Sequence, residues 1–226
     1  MDYEIIKSRH SVRAYLDRPI PAGKVESIEA MIRECNEAAG LDIQLVTDEP
    51  KAFGTSLMAR YGKFENVRNY ICMIGPKGGD TEEKLGYYGE RLVLKTQEMG
   101  LNTCWVGMSF KKGKVPARIA EGMKLYAVIA IGYGKTQGVS HKIKSPDRIC
   151  PEIASTPGWF KRGVDCALLA PTAVNQQKFH FKWLGGKRVV ASTSWGFYAK
   201  MDLGIARLHF ELGVRPEKVE WERGDL

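Results

Sequence analysis

Arg9, Ser11 and Arg13 place two guanidinium groups and a hydroxyl within five residues, Arg9-His10-Ser11-Val12-Arg13. Arginine offers a planar fork of donors that matches phosphate oxygens, and serine adds a short donor, so the segment has the chemistry of a phosphate clamp. Far downstream, Pro171-Thr172-Ala173-Val174-Asn175-Gln176-Gln177 joins a rigid turn to amide side chains. Such amides suit the edge of a polar heterocycle. A phosphate at one end and a heterocycle edge at the other describe a nucleotide-like ligand.

Both segments need elements to hold them. Asp2 to Ser8 reads as a short helix, and Arg9 to Tyr15 as extended chain punctuated by Pro19 and Pro21. Pro21 suits the first turn of a helix. That helix carries Val25, Ile28, Met31, Ile32 and Cys35 on one face, runs to about Ala39 and closes at Gly40. Leu41, Ile43 and Leu45 alternate with polar residues, as a half-buried strand does. The apolar runs Tyr70 to Ile74 and Leu125 to Ile131 read as central strands. A long helix is expected from Thr81 to Met99, strand or turn from Leu101 to Gly107, and a short helix from Arg118 to Gly122. Further on, the pattern predicts helices over Gly158 to Leu169 and Gly196 to Leu212. Strands are expected over Phe179 to Trp183 and Val189 to Ala191, with an edge strand near Val219 and Trp221. Strands and helices mix without a βαβ rhythm, which predicts an α+β fold with helices around an antiparallel or mixed sheet. No GxGxxG turn follows a strand and no GxxxxGK[ST] occurs, so neither a Rossmann site nor a P-loop is supported.

Composition narrows the class. With 226 residues, 44% of them hydrophobic, the chain can bury a core, and no apolar run approaches a bilayer span. The start, Met1-Asp2-Tyr3-Glu4, has no signal-peptide character. Five cysteines form no CxxC pair and no metal-like spacing with the four histidines, which fits a reducing cytoplasm and no zinc site. The net charge of +8 suits an anionic small ligand; no nucleic-acid module accompanies the scattered Lys and Arg.

The chain also compares with itself. Glu90 to Gly100 and Leu203 to Gly213 both end in Glu-x-Gly, and both follow aromatic-rich starts, Tyr87-Tyr88 and Trp195-Gly196-Phe197-Tyr198. Each is preceded by a helix, a loop and an alternating strand. This predicts a single domain of two degenerate halves, about 1–150 and 151–226, one bringing the clamp and the other the amide loop.

Taken jointly, Lys7 to Tyr15, Glu98 to Gly107, Ile129 to Gly134 and Ala170 to Gln177 resemble the FMN-dependent nitroreductase family. The resemblance implies a nitroreductase-like α+β fold, here with an internal duplication forming a pseudo-dimer in one chain. It implies FMN as cofactor, NADH or NADPH as co-substrate, and reduction of nitroaromatics, quinones or similar flat acceptors. Flavin binding with little turnover, or reductive dehalogenation, are the alternatives it leaves. Carried over by position, Arg9, His10, Ser11 and Arg13 would meet the phosphate and ribityl oxygens, and Lys142 and Lys144 would form a second basic clamp. Lys63 would face the ring, Trp105, Val106, Gly107 and Met108 would wall it near N5, and Pro171, Thr172, Ala173, Asn175 and Gln177 would flank it. Lys178 stands where the family motif has a proline. The family's chemistry resides in the flavin, so no dedicated catalytic residue is expected. The implied partners are a small-molecule acceptor and, in solution, either no second chain or a homodimer, without nucleic acid or membrane.

Overall fold

The computed structural model describes residues 3–53 and 62–222, which fall into two compact units. The first comprises Ser8–Thr81 and Arg91–Ser140; the second comprises Met1–Lys7, Glu82–Glu90 and His141–Leu226. One division falls at residue 140, and the segment Glu82–Glu90 belongs with the C-terminal part.

In the first unit, helix α2 spans Ala22–Ala39 and buries Ile28, Ile32 and Cys35. Their spacing is one helical face, and burying each isoleucine contributes about 2 kcal/mol. The chain leaves the helix at Gly40 (φ +66°), and the Asn36 amide then grips both the N–H and the C=O of Ile43. A four-stranded antiparallel sheet follows, in the order β1 (Gln44–Val46), β2 (Asn69–Pro76), β4 (Met123–Gly132) and β3 (Asn102–Val106). Ile71 pairs with Ile129, which also pairs with Trp105. Residues 70–75 and 125–132 are buried throughout, as expected of strands covered on both faces. The Leu41–Leu45 alternation yields strand only from Gln44. No helix forms over Arg118–Gly122: the Gln44 amide takes the Arg118 carbonyl that a helix would give to the Gly122 N–H, and the Met123 N–H turns back to Ala120.

The second unit contains helix α1 (Tyr3–Ser8, described from Tyr3, since Asp2 lies outside the described residues) and the first half of α3 (Thr81–Glu98). It also holds α4 (Gly158–Ala167), α5 (Ala199–Val214), and a sheet in the order β5 (Phe179–Trp183), β6 (Arg188–Thr193) and β7 (Glu220–Glu222). β5 and β6 are antiparallel, whereas β7 joins β6 in parallel. The two sheets therefore differ in strand number and pairing, and no common topology carries the expected duplication. Helices α3 and α5 touch backbone to backbone. A Cβ on Gly204 would lie 1.9 Å from the Glu83 carbonyl oxygen, and one on Gly86 would lie 2.0 Å from that of Met201. Between them the fully buried His209 Nε2 meets Glu90 Oε1 at 2.9 Å, and Nδ1 lies 3.3 Å from the Cys166 carbonyl. The α5 helix begins at Ala199, three residues later than expected, because Tyr198 sits in the left-handed region (φ +58°).

Candidate functional site

In the first unit the Arg9–Tyr15 segment is fixed by backbone pairing. Ser11 bridges Thr103, Ala14 bridges Glu65 and Tyr15 bridges Gly134. The Val12 N–H donates to Thr103 at 2.9 Å, and the buried Tyr15 hydroxyl donates to the Val12 carbonyl at 2.7 Å. Burial raises that hydroxyl well above its ordinary pKa, so it stays a donor. Asn102, at the start of β3, accepts the Gly134 N–H and donates to Gln137, tying the loop beyond β4 to the same place.

Arg9, Ser11 and Arg13 alternate along this extended segment, which pairs with β3 at Thr103. Cys104, the next residue of β3, feels the Arg13 and Arg9 charges and the Ser11 hydroxyl. Its thiol is raised nevertheless, because burial outweighs the cations. Arg9 is 3% exposed, Ser11 half-buried and Arg13 exposed. Arg13 has no carboxylate within ion-pair distance among the described residues. Burial, with the neighbouring Arg9 charge second, lowers the His10 pKa, which leaves positive charge here to the arginines at neutral pH. Two guanidiniums and a hydroxyl on one rigid segment fit a phosphate dianion.

Other expected residues of this unit are placed as follows. Trp105 is half-buried and Val106 buried within β3, Gly107 lies just beyond the strand, and Met108 is exposed. Lys63 is exposed, with φ +52°.

In the second unit the structure brings Lys142, Lys144 and the 171–177 loop together. Asn175 Nδ2 and Gln177 Nε2 each donate to the Lys142 carbonyl at 2.8 Å. Gln177 also accepts the Lys144 N–H at 2.9 Å, and Lys144 Nζ donates to the carbonyls of Gln176 and Gln177 at 2.9 and 2.8 Å. The Gln177 side chain is thus buried and occupied in holding two chain segments side by side. Thr172 Oγ1 accepts the Gln177 N–H at 3.1 Å. Pro171, Thr172 and Ala173 are half-buried, and Asn175 is exposed. Val174, Asn175 and Gln177 all have positive φ, at 46°, 56° and 43°. Non-glycine residues seldom adopt this region, least of all a β-branched one, and surrounding bonds must enforce it.

Asp202, in the first turn of α5, supplies part of that enforcement and was not foreseen. Its carboxylate accepts the Ala173 N–H at 3.0 and 3.2 Å and the Gln176 amide at 2.6 Å. Burial pushes the Asp202 pKa up to about 6, although both hydrogen bonds pull it down. The signal was available in sequence: residues 166–201 contain no Asp or Glu, so Asp202 is the first acid after a long cationic stretch. Among the described residues no cluster of His, Cys, Asp and Glu could hold a metal, and no helix is long and apolar enough to cross a membrane.

The chain is similar to known proteins. Residues 2–214 match the family model described as "Putative TM nitroreductase". A Thermotoga maritima structure described as a nitroreductase shares 24% identity over 94% of this chain and 83% of that chain, with a TM-score of 0.67. A Desulfovibrio desulfuricans nitroreductase structure in complex with FMN shares 15% identity over 65% of this chain and 94% of that chain, with a TM-score of 0.50. An FMN-dependent nitroreductase of Clostridium difficile shares 19% identity over 68% and 97%, with a TM-score of 0.48. No curated protein matches the chain.

Proposed function

The chain belongs to the TM nitroreductase family, and on that premise we propose that it is an FMN-dependent oxidoreductase that uses NADH or NADPH to reduce flat acceptors such as nitroaromatics and quinones. Its α+β architecture is that of the nitroreductase fold. The observation that carries the cofactor is the setting of Arg9, Ser11 and Arg13 at alternate positions of an extended segment pinned to β3 at Thr103.

In this reading those three residues hold the phosphate and ribityl oxygens, and His10, neutral at pH 7, lies against them. Lys63, Trp105, Val106, Gly107 and Met108, in the same unit, would border the ring. When bound, FMN would supply two-electron redox chemistry between a reduced nicotinamide and a quinone or nitro group. The protein's part is to hold and orient the cofactor with fixed donors, which need no reorganisation during reaction.

Titration of the purified protein with FMN, followed by its visible spectrum, tests the reading. Saturation near one FMN per chain and rapid bleaching by NADH or NADPH are expected. A bound flavin that neither nucleotide bleaches would reduce the protein to a flavin binder, and no uptake of FMN would remove the enzyme reading altogether.

A further inference from the structure

Two loops of the second unit are tied into one ledge. Gln176 Nε2 donates to the Phe197 carbonyl at 2.8 Å as well as to Asp202. Lys178 Nζ donates to the Trp195 carbonyl at 2.8 Å, and the Ser194 N–H donates to the Lys178 carbonyl at 3.0 Å. These bonds fix the backbone, yet the apolar side chains it carries face solvent. Trp195 is 88% exposed, Phe197 74% and Val174 95%. The two rings lie 6.3 Å apart, inclined at 49°. Large aromatic side chains held out in water by an ordered backbone are preorganised to stack on something flat.

Two lysines border the ledge. Lys178 is bonded to the ledge itself, and the exposed Lys200 opens α5. Asp202 is buried and engaged with Ala173 and Gln176, and Glu82 acts on the neighbouring Tyr198 hydroxyl.

Size and charge choose the occupant. Three side chains expose far less than the roughly 800 Å² per partner that a stable protein interface buries. A second copy packed by two-fold symmetry would also set lysine against lysine. Two rings 6.3 Å apart span about the length of a bicyclic aromatic. We propose that the Trp195–Phe197 ledge binds a flat aromatic anion, a reading that rests on this unit's geometry alone.

The test uses 6-nitro-2-naphthoate and its methyl ester, with tryptophan quenching read on the FMN-saturated protein. The acid is expected to bind about tenfold more tightly than the ester at low salt, with the gap closing as salt rises. Trp195→Ala combined with Phe197→Ala should weaken the acid by at least about tenfold while FMN affinity and far-UV dichroism stay unchanged. Lys200→Gln should narrow the acid–ester gap. Equal affinity for acid and ester, unaltered binding by the double variant, or displacement of FMN by the acid would overturn the proposal. So would a wild-type dimer that the double variant converts to monomer, since a second copy would then cover the ledge.

Discussion

The Arg9–Tyr15 segment and the 171–177 loop are both rich in polar groups, but opposite means hold them. The first is bridged to its neighbours through the backbone, at Thr103, Glu65 and Gly134. The second bends through three left-handed non-glycine residues and keeps its shape through side chains: Asp202, Gln176, Gln177, Asn175 and Lys144. Backbone pairing is indifferent to side-chain identity, so the clamp can change its donors without losing its shape. The loop cannot, because its donors and acceptors are also its scaffold.

Substitutions can break or sharpen that contrast. The largest effect is expected at Gly204, whose α5 helix carries Asp202. Gly204→Val drives a side chain into the Glu83 carbonyl and should cost more than about 4 kcal/mol in urea unfolding. Next comes Asp202 itself. Asp202→Ala leaves the Ala173 N–H and the Gln176 amide without their acceptor, and should cost about 2 kcal/mol at pH 7.5. The folded state raises this carboxyl from 3.8 to about 6, so it binds the proton more tightly than the unfolded chain does. Stability should therefore fall by about 3 kcal/mol as pH rises from about 4 through 6, and Asp202→Asn should abolish that slope.

On the backbone-held side, Arg13→Ala should leave stability within about 0.5 kcal/mol, because the side chain is exposed and its backbone bonds persist. It should weaken FMN about tenfold by calorimetry, a loss of about 1.4 kcal/mol. A drop in melting temperature comparable to that of Asp202→Ala would erase the distinction between the two regions. The smallest effect is expected at Val174. Val174→Asn places a residue that tolerates positive φ where a β-branched one is strained, and should stabilise the protein by roughly 0.5–1 kcal/mol.

The same contrast explains what was legible in the sequence. The clamp was visible because its chemistry lies in consecutive residues on extended chain. Strands β2 and β4 and helix α2 were visible because burial imposes a period on local residues. The Asp202 latch joins residues 26 to 29 positions apart and leaves no local pattern. The pattern puts Gly196 and Phe197 in the first turn of a helix because they precede an amphipathic run, but Tyr198 turns left-handed and the helix begins after them. The helix expected over Arg118–Gly122 fails because the Gln44 amide, far away in sequence, claims the Arg118 carbonyl that a helix would give to the Gly122 N–H. Gln177 was read as a ligand donor from residue type alone, and only the fold shows its amide between Lys142 and Lys144.

All five cysteines are buried, and burial raises every one of their thiols, Cys72 and Cys166 to about 12. A buried, protonated thiol is a poor nucleophile. Cys35, Cys72 and Cys104 lie in the first unit, and Cys150 and Cys166 in the second. The chain thus carries its own clock for opening. The rate at which an alkylating reagent marks each cysteine measures how often each unit breathes, without an added label. It also leaves the native surface silent, so that a single cysteine placed at an exposed position such as Val174 would be the one site a reporter dye finds.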